Sequence, residues 1–189
     1  GNPSGNPVGA NAEREFRDTA VAGTARLFDQ IGRLSAFPAR TLLLSSGAVH
    51  SVEGNSASPV RHPPTGRNAY AKAKAESESV FLEGAARSGI SAVVARIYAC
   101  AGPYLPLEGR FALGQFIHAA RTRGEIEVRS NGEALRSYLH GDELAEWLLT
   151  LASGRGTRAE PGAPEIFDVG SDDPLSIREV AEAVRTVFA

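Results

Sequence analysis

The chain has 189 residues, 42% of them hydrophobic and 22% charged, which is enough for one domain with a substantial core, or one domain and a small appendage. A net charge of -2 argues against a nucleic-acid or membrane-surface partner, and no run approaches the roughly 18 apolar residues needed to span a bilayer. The single cysteine, Cys100, rules out an internal disulfide; with no signal peptide opening the chain, it predicts a cytoplasmic protein in which Cys100 is a packing residue.

Residues 1–11 are rich in Gly, Pro and Asn and predict a loop or turn. From Glu13 to about Arg33, Phe16, Ala20, Gly23, Leu27 and Ile31 recur at helical spacing. Thr41 to Leu44 is a short apolar run that predicts a buried strand, ending in the small residues Ser45, Ser46 and Gly47. A polar stretch with Pro59, Pro63 and Pro64 leads to Asn68, a candidate N-cap for a helix through Arg87 that Gly89 would terminate. A second buried strand is expected over Ile90–Tyr98, a helix over Phe111–Arg123 and a short strand over Ile126–Val128. A helix over Asp142–Leu151, a strand over Ile166–Val169 and a helix over Ser176–Phe188 follow, the last opened by a Ser176/Glu179 capping box. Strands alternating with helices imply an α/β fold with a mainly parallel sheet.

The charged residues are distributed unevenly by type. Of the 20 basic residues 18 are Arg, and the only lysines, Lys72 and Lys74, both sit beside Tyr70. A lysine kept against that bias suggests a site needing a compact ammonium. Tyr70 and Lys74 are four apart and share one helix face, where an ammonium close to a phenol favours the phenolate. That would make Tyr70 a general acid or base. Ser46 stands at the C-terminal end of a predicted strand, where α/β sheets collect their ligands, and can donate to a substrate oxygen.

Six segments in order resemble the extended short-chain dehydrogenase/reductases of the NAD-dependent epimerase/dehydratase family. Val21-Ala22-Gly23-Thr24 fits its first helix, Leu43 to His50 its Ser-Ser-x-x-Val-Tyr strand end, and Asn68 to Glu78 its Tyr-x-x-x-Lys helix. Arg96 to Pro103 is similar to its Arg-x-Phe-Asn-x-Tyr-Gly-Pro, Leu135 to Asp142 to its Arg-Asp-x-x-His-Val-Asp, and Phe167 to Ile177 to its Asn-Val-Gly and Ser-Ile pair. The resemblance implies a doubly wound, Rossmann-like parallel sheet with a smaller α/β substrate-binding lobe. The boundary is expected at residue 102, with 1–102 the C-terminal portion of the NAD-binding domain and 103–189 mainly the lobe, some segments returning to the sheet. It also implies NAD or NADP as cofactor and a nucleotide sugar as substrate. Tyr70 and Lys74 would meet the cofactor, Ser46 the reacting oxygen, Arg136 the diphosphate and, more weakly, Arg129 the base; His140 fits the pattern as a structural residue. A homodimer is expected through helices near 13–33 and 69–87.

The chain departs from that pattern in several places. It lacks the Gly-rich dinucleotide turn and the acidic residue that follows it, so the first strands of the nucleotide-binding half are expected to lie before Gly1. Gly47 and Ala48 stand where sugar 4,6-dehydratases carry an Asp-Glu pair, and the acidic residue of the nucleotide-sugar decarboxylases is missing too; Ala20 and Ala99 replace two family asparagines. A C4 epimerase or 4-ketoreductase, which needs only the Ser-Tyr-Lys set, is therefore favoured. The alternatives are a catalytically inactive binding or regulatory module of the same fold, and a reductase of a non-nucleotide carbonyl substrate, which Arg136 argues against.

Overall fold

The computed structural model describes residues 10–31, 33–34, 40–50, 69–109, 111–155 and 164–188. Three parallel strands organise it: β1 (Arg40–Ser46), β2 (Ser91–Ile97) and β6 (Glu165–Val169), in the order β1-β2-β6. The register runs from Arg40 opposite Ser91 to Ser46 opposite Ile97, and from Val93 opposite Glu165 to Ile97 opposite Val169. The C-terminal ends of all three strands therefore finish at one level. A parallel pair cannot be joined by a tight hairpin. The 20-residue helix α3 (Ala69–Ser88) lies in the crossover between β1 and β2.

Val93 and Val94 are both fully buried although neighbours on a strand face opposite ways, so β2 is covered on both faces. On one face, Phe28 and Ile31 of α2 (Gly23–Ile31) meet Phe81 and Ala85 of α3 over Ala92 and Val94. Phe28 and Phe81 meet edge to face with centroids 5.5 Å apart. Gly84 permits this approach, because a Cβ there would run into the Phe28 ring. On the other face, Val93, Ala95 and Val169 pack under Leu151 of α5 (Gly141–Ser153) and Leu139. Arg40 fastens that face: its guanidinium donates to Leu151 O at 2.9 Å and pairs with Glu165.

The remaining elements form two small ladders and a third cluster. β3 (Ala99–Ala101) runs parallel to β5 (Tyr138–His140), and β4 (Leu135–Arg136) antiparallel to β7 (Leu175–Ser176). Helices α4 (Ala112–Arg123) and α6 (Ile177–Phe188) pack through Phe116, Val180, Ala181 and Val184.

The expected Ser176 capping box is present: Glu179 N–H donates to Ser176 Oγ at 3.2 Å and Ser176 N–H to Glu179 Oε2 at 2.8 Å. Gly89, with φ +66, follows the end of α3. Asn68, the candidate cap at its start, lies outside the described residues. Two expectations are corrected. Ile126–Val128 forms no strand; Ile126 and Val128 have no ladder partner among the described residues and instead pack on the α4–α6 cluster. The helix expected over 13–33 is not uniform: α1 (Ala10–Arg17) passes through a π-helical turn at Asp18–Ala22 into α2. Thr24 Oγ1 donates to Ala20 O at 2.6 Å there, a side-chain bond that competes with the regular backbone pattern. No helix of the described residues is long and apolar enough to cross a membrane.

Candidate active site

The site gathers where β1 ends and the first turns of α3 pass over it. Tyr70 and Lys74 lie one helical turn apart on α3 with the Lys74 ammonium 6.0 Å from the Tyr70 ring centroid. Lys74 Nζ donates to Leu44 O at 3.1 Å, which ties this turn of the helix to β1 two residues before Ser46. Burial pushes the Lys74 pKa down from its ordinary value, and the Glu78 carboxylate one turn further on opposes the shift. Phe16 of α1 meets the Tyr70 ring at 5.1 Å between centroids, tilted by 35°. Ser46 is the last residue of β1; its Oγ accepts the Ala48 N–H at 3.2 Å, inside the 3₁₀ turn Gly47–His50. Its hydroxyl proton stays available for a second partner.

Beneath these three residues runs a buried polar network that sequence reasoning assigned no role. Glu78 and Arg96 are 3% and 5% exposed, and the guanidinium meets the carboxylate in a fork, Nη2 to Oε2 at 2.7 Å and Nε to Oε1 at 3.1 Å. Ser45 Oγ donates to Glu78 Oε1 at 2.5 Å. Arg96 Nη1 lies 3.1 Å from His50 Nε2, which in turn is 2.9 Å from Asp168 Oδ1. Burial lowers the Arg96 pKa, but its hydrogen bond to Glu78 and the charges of Glu78 and Asp168 outweigh that, so it ends above its ordinary value. All three strands contribute: Ser45 from β1, Arg96 from β2, Asp168 from β6. The signal in the sequence was present, since Glu78 is four residues past Lys74 and Arg96 opens a family motif; what was missing was the third dimension.

Arg136 and Arg129 stand apart from this centre. Arg136 is exposed on β4 and its Nη1 donates to Leu135 O at 2.7 Å. Arg129 is exposed beside Glu127 at 3.5 Å and helps line a cavity of about 230 Å³ with Gln115, His118 and Glu125. Neither forms a hydrogen bond or ion pair with Ser46, Tyr70 or Lys74. His140 is the N-cap of α5, its Nδ1 accepting the Asp142 N–H at 3.3 Å. A larger cavity of about 580 Å³ between α4 and α6 is walled by Ile126, Val128, Ala181 and Phe188 and touches none of the three site residues. Its wall also carries Glu125, Arg178, Glu182 and Arg185.

The α/β sheet is that of a class of dinucleotide-dependent enzymes, and comparison with known proteins agrees on the fold and the cofactor. The sequence model of the NAD dependent epimerase/dehydratase family matches residues 1–170. The chain belongs to that family. It is 26% identical over 182 residues to UDP-glucuronic acid decarboxylase 6 of Arabidopsis thaliana, covering 90% of this chain and 48% of that protein. It is 28% identical over 160 residues to the putative GDP-L-fucose synthase 2 of Oryza sativa subsp. japonica, covering 78% of this chain and 44% of that protein. The fold is shared with dTDP-glucose 4,6-dehydratase of Bacillus anthracis, solved in complex with NAD: the TM-score is 0.77 at 19% identity, over 91% of this chain and 52% of that one. The chain thus spans about half the length of the curated relatives it matches.

The donor set fits the dinucleotide that the family name implies. The half-buried Lys74 ammonium spends one proton on Leu44 O, leaving two for the hydroxyls of a ribose.

Proposed function

We propose that this chain carries the catalytic part of an NAD(P)-dependent enzyme that exchanges hydride at one carbon of a nucleotide-activated sugar, a C4 epimerase or a 4-ketoreductase. The observation that carries the reading is the joint placement of Tyr70 and Lys74, anchored through Leu44 O beside the Ser46 end of β1. Tyr70 takes the proton of the sugar hydroxyl in oxidation and returns it in reduction. Lys74 holds its ammonium against the phenol ring and offers its free protons to a ribose. Ser46 donates its hydroxyl to the reacting oxygen and orients it. When bound, the dinucleotide supplies the hydride exchange. Gly47 and Ala48 bring no carboxylate to the sugar, which favours redox at one carbon over loss of water or of carbon dioxide.

In this reading residues 1–102 are the C-terminal portion of a nucleotide-binding domain, 103–189 mainly build the sugar lobe with segments returning to the sheet, and Arg136 and, more weakly, Arg129 meet the diphosphate and base. Two copies pair through the helices near 13–33 and 69–87. The test is a panel of UDP-, dTDP- and GDP-sugars with the whole protein, following cofactor absorbance and sugar epimers. Tyr70→Phe should lower kcat by about 10²- to 10⁴-fold while nucleotide-sugar binding persists. Turnover that survives Tyr70→Phe unchanged removes the phenol from the mechanism, and no binding of any nucleotide sugar removes the substrate class.

A further inference from the structure

Ser46 stands between two fastened residues. Before it, Ser45 Oγ donates to Glu78 Oε1 at 2.5 Å, on the helix that carries Tyr70 and Lys74. After it, the 3₁₀ turn Gly47–His50 ends on a buried imidazole. His50 Nε2 lies 2.9 Å from Asp168 Oδ1 of β6 and 3.1 Å from Arg96 Nη1 of β2. A carboxylate only accepts and a guanidinium only donates, so a hydrogen on Nε2 goes to Asp168. His50 Nδ1 is buried and has no hydrogen-bond partner among the described residues, so the ring is anchored through Nε2 alone. His50 stands where the resembled strand-end segment carries Tyr, and Asp168 where the later segment carries Asn. Two departures from that pattern therefore meet in one buried contact.

We propose that His50 is a positioning residue for Ser46, fixing through Asp168 where the serine hydroxyl stands relative to Tyr70 and Lys74. The inference rests on the reading above, in which Ser46 orients the reacting oxygen. Ser46 Oγ accepts the Ala48 N–H inside the turn, so the direction left to its hydroxyl follows the placement of the turn. Ser45 holds the near end of that turn to α3, and His50 holds the far end across β2 to β6, the third strand of the sheet. Without the second anchor the turn can swing about the first and carry the hydroxyl with it. His50 touches no reacting atom in this scheme; it acts through geometry, and a displacement of about 1 Å at a catalytic group can cost about 10²-fold in rate.

The experiment uses the whole protein with NAD or NADP and with UDP- and dTDP-linked glucose and galactose, following cofactor absorbance and C4 epimers. His50→Leu should lower kcat by about 10- to 100-fold and leave KM within about threefold, because the anchor orients a reacting group and does not bind the nucleotide. His50→Gln, whose amide offers an N–H to Asp168 at similar reach and an oxygen to Arg96, should restore kcat to within about threefold of wild type. In a Ser46→Ala background, His50→Leu should change kcat by no more than about twofold, since a residue that acts through the serine has nothing left to position. Without substrate, hydrogen exchange at the Ala48 amide should rise at least about tenfold in His50→Leu and stay near wild type in His50→Gln. A kcat unmoved by His50→Leu, a loss that multiplies fully with that of Ser46→Ala, a Gln variant as slow as the Leu variant, or an unchanged Ala48 amide overturns the assignment of His50. If Ser46→Ala itself leaves kcat unchanged, or the wild-type protein turns over none of these sugars, the reading under Proposed function fails instead, and the inference with it.

Discussion

Glu78 is the residue whose removal should be felt furthest. Its carboxylate receives the Arg96 fork at 2.7 and 3.1 Å and the Ser45 hydroxyl at 2.5 Å, with both charged partners at 5% exposure or less. Breaking a buried pair by deleting one partner leaves an uncompensated charge and costs about 3–5 kcal/mol. Glu78→Ala should therefore destabilise the protein by about that much, which for a chain of this size lowers Tm by roughly 6–20 °C. Asp168 and His50 stand on the other side of Arg96, so the low end of the range is favoured. Arg96→Met should cost a similar amount, but Glu78→Ala with Arg96→Met should cost far less than the sum, because the Glu78–Arg96 pair is then removed whole. Thermal and urea unfolding of the four proteins completes the cycle. A Glu78→Ala loss under about 1 kcal/mol, or strict additivity in the double variant, would refute the reasoning.

Three further outcomes follow from the same geometry. Gly84→Ala should cost about 1–3 kcal/mol by forcing the Phe28 ring out of its seat on α3, measured by urea unfolding, whereas Phe28→Leu in the same background should recover part of it. Ser176→Ala should cost about 1 kcal/mol through loss of the α6 cap, and hydrogen exchange should rise first in Ile177–Val180. The folded-state pKa of Lys74 lies below the ordinary 10.5, so just below pH 10.5 the unfolded chain binds a proton that the native chain has released. Its contribution to stability therefore grows as pH rises through that window, and Lys74→Met should flatten this part of the stability–pH curve.

The local elements were legible because their causes are local. Alternation of apolar runs with helical periodicity specified a parallel α/β sheet, Gly89 marked the end of α3, and the Ser176/Glu179 spacing marked the start of α6. The i,i+4 spacing of Tyr70 and Lys74 was enough to put them on one face, since helix geometry alone dictates it. Ile126–Val128 shows the limit: its alternation is that of a strand, but a strand exists only through a ladder partner, and these side chains found the α4–α6 cluster first. The π-helical turn at Asp18–Ala22 is equally invisible in a one-dimensional period.

The sequence by itself determined the class of fold and the phenol–ammonium pair, because both are written in short-range spacing and in the scarcity of lysine. Only the tertiary structure decided what surrounds that pair. Ser45, Glu78, Arg96 and Asp168 come from four elements, and Tyr98 reaches Gly47 from the position just after β2, so their meeting depends on the register of β1, β2 and β6. Contacts of that kind are set by packing the sheet and its helices together, and no spacing along the chain encodes them.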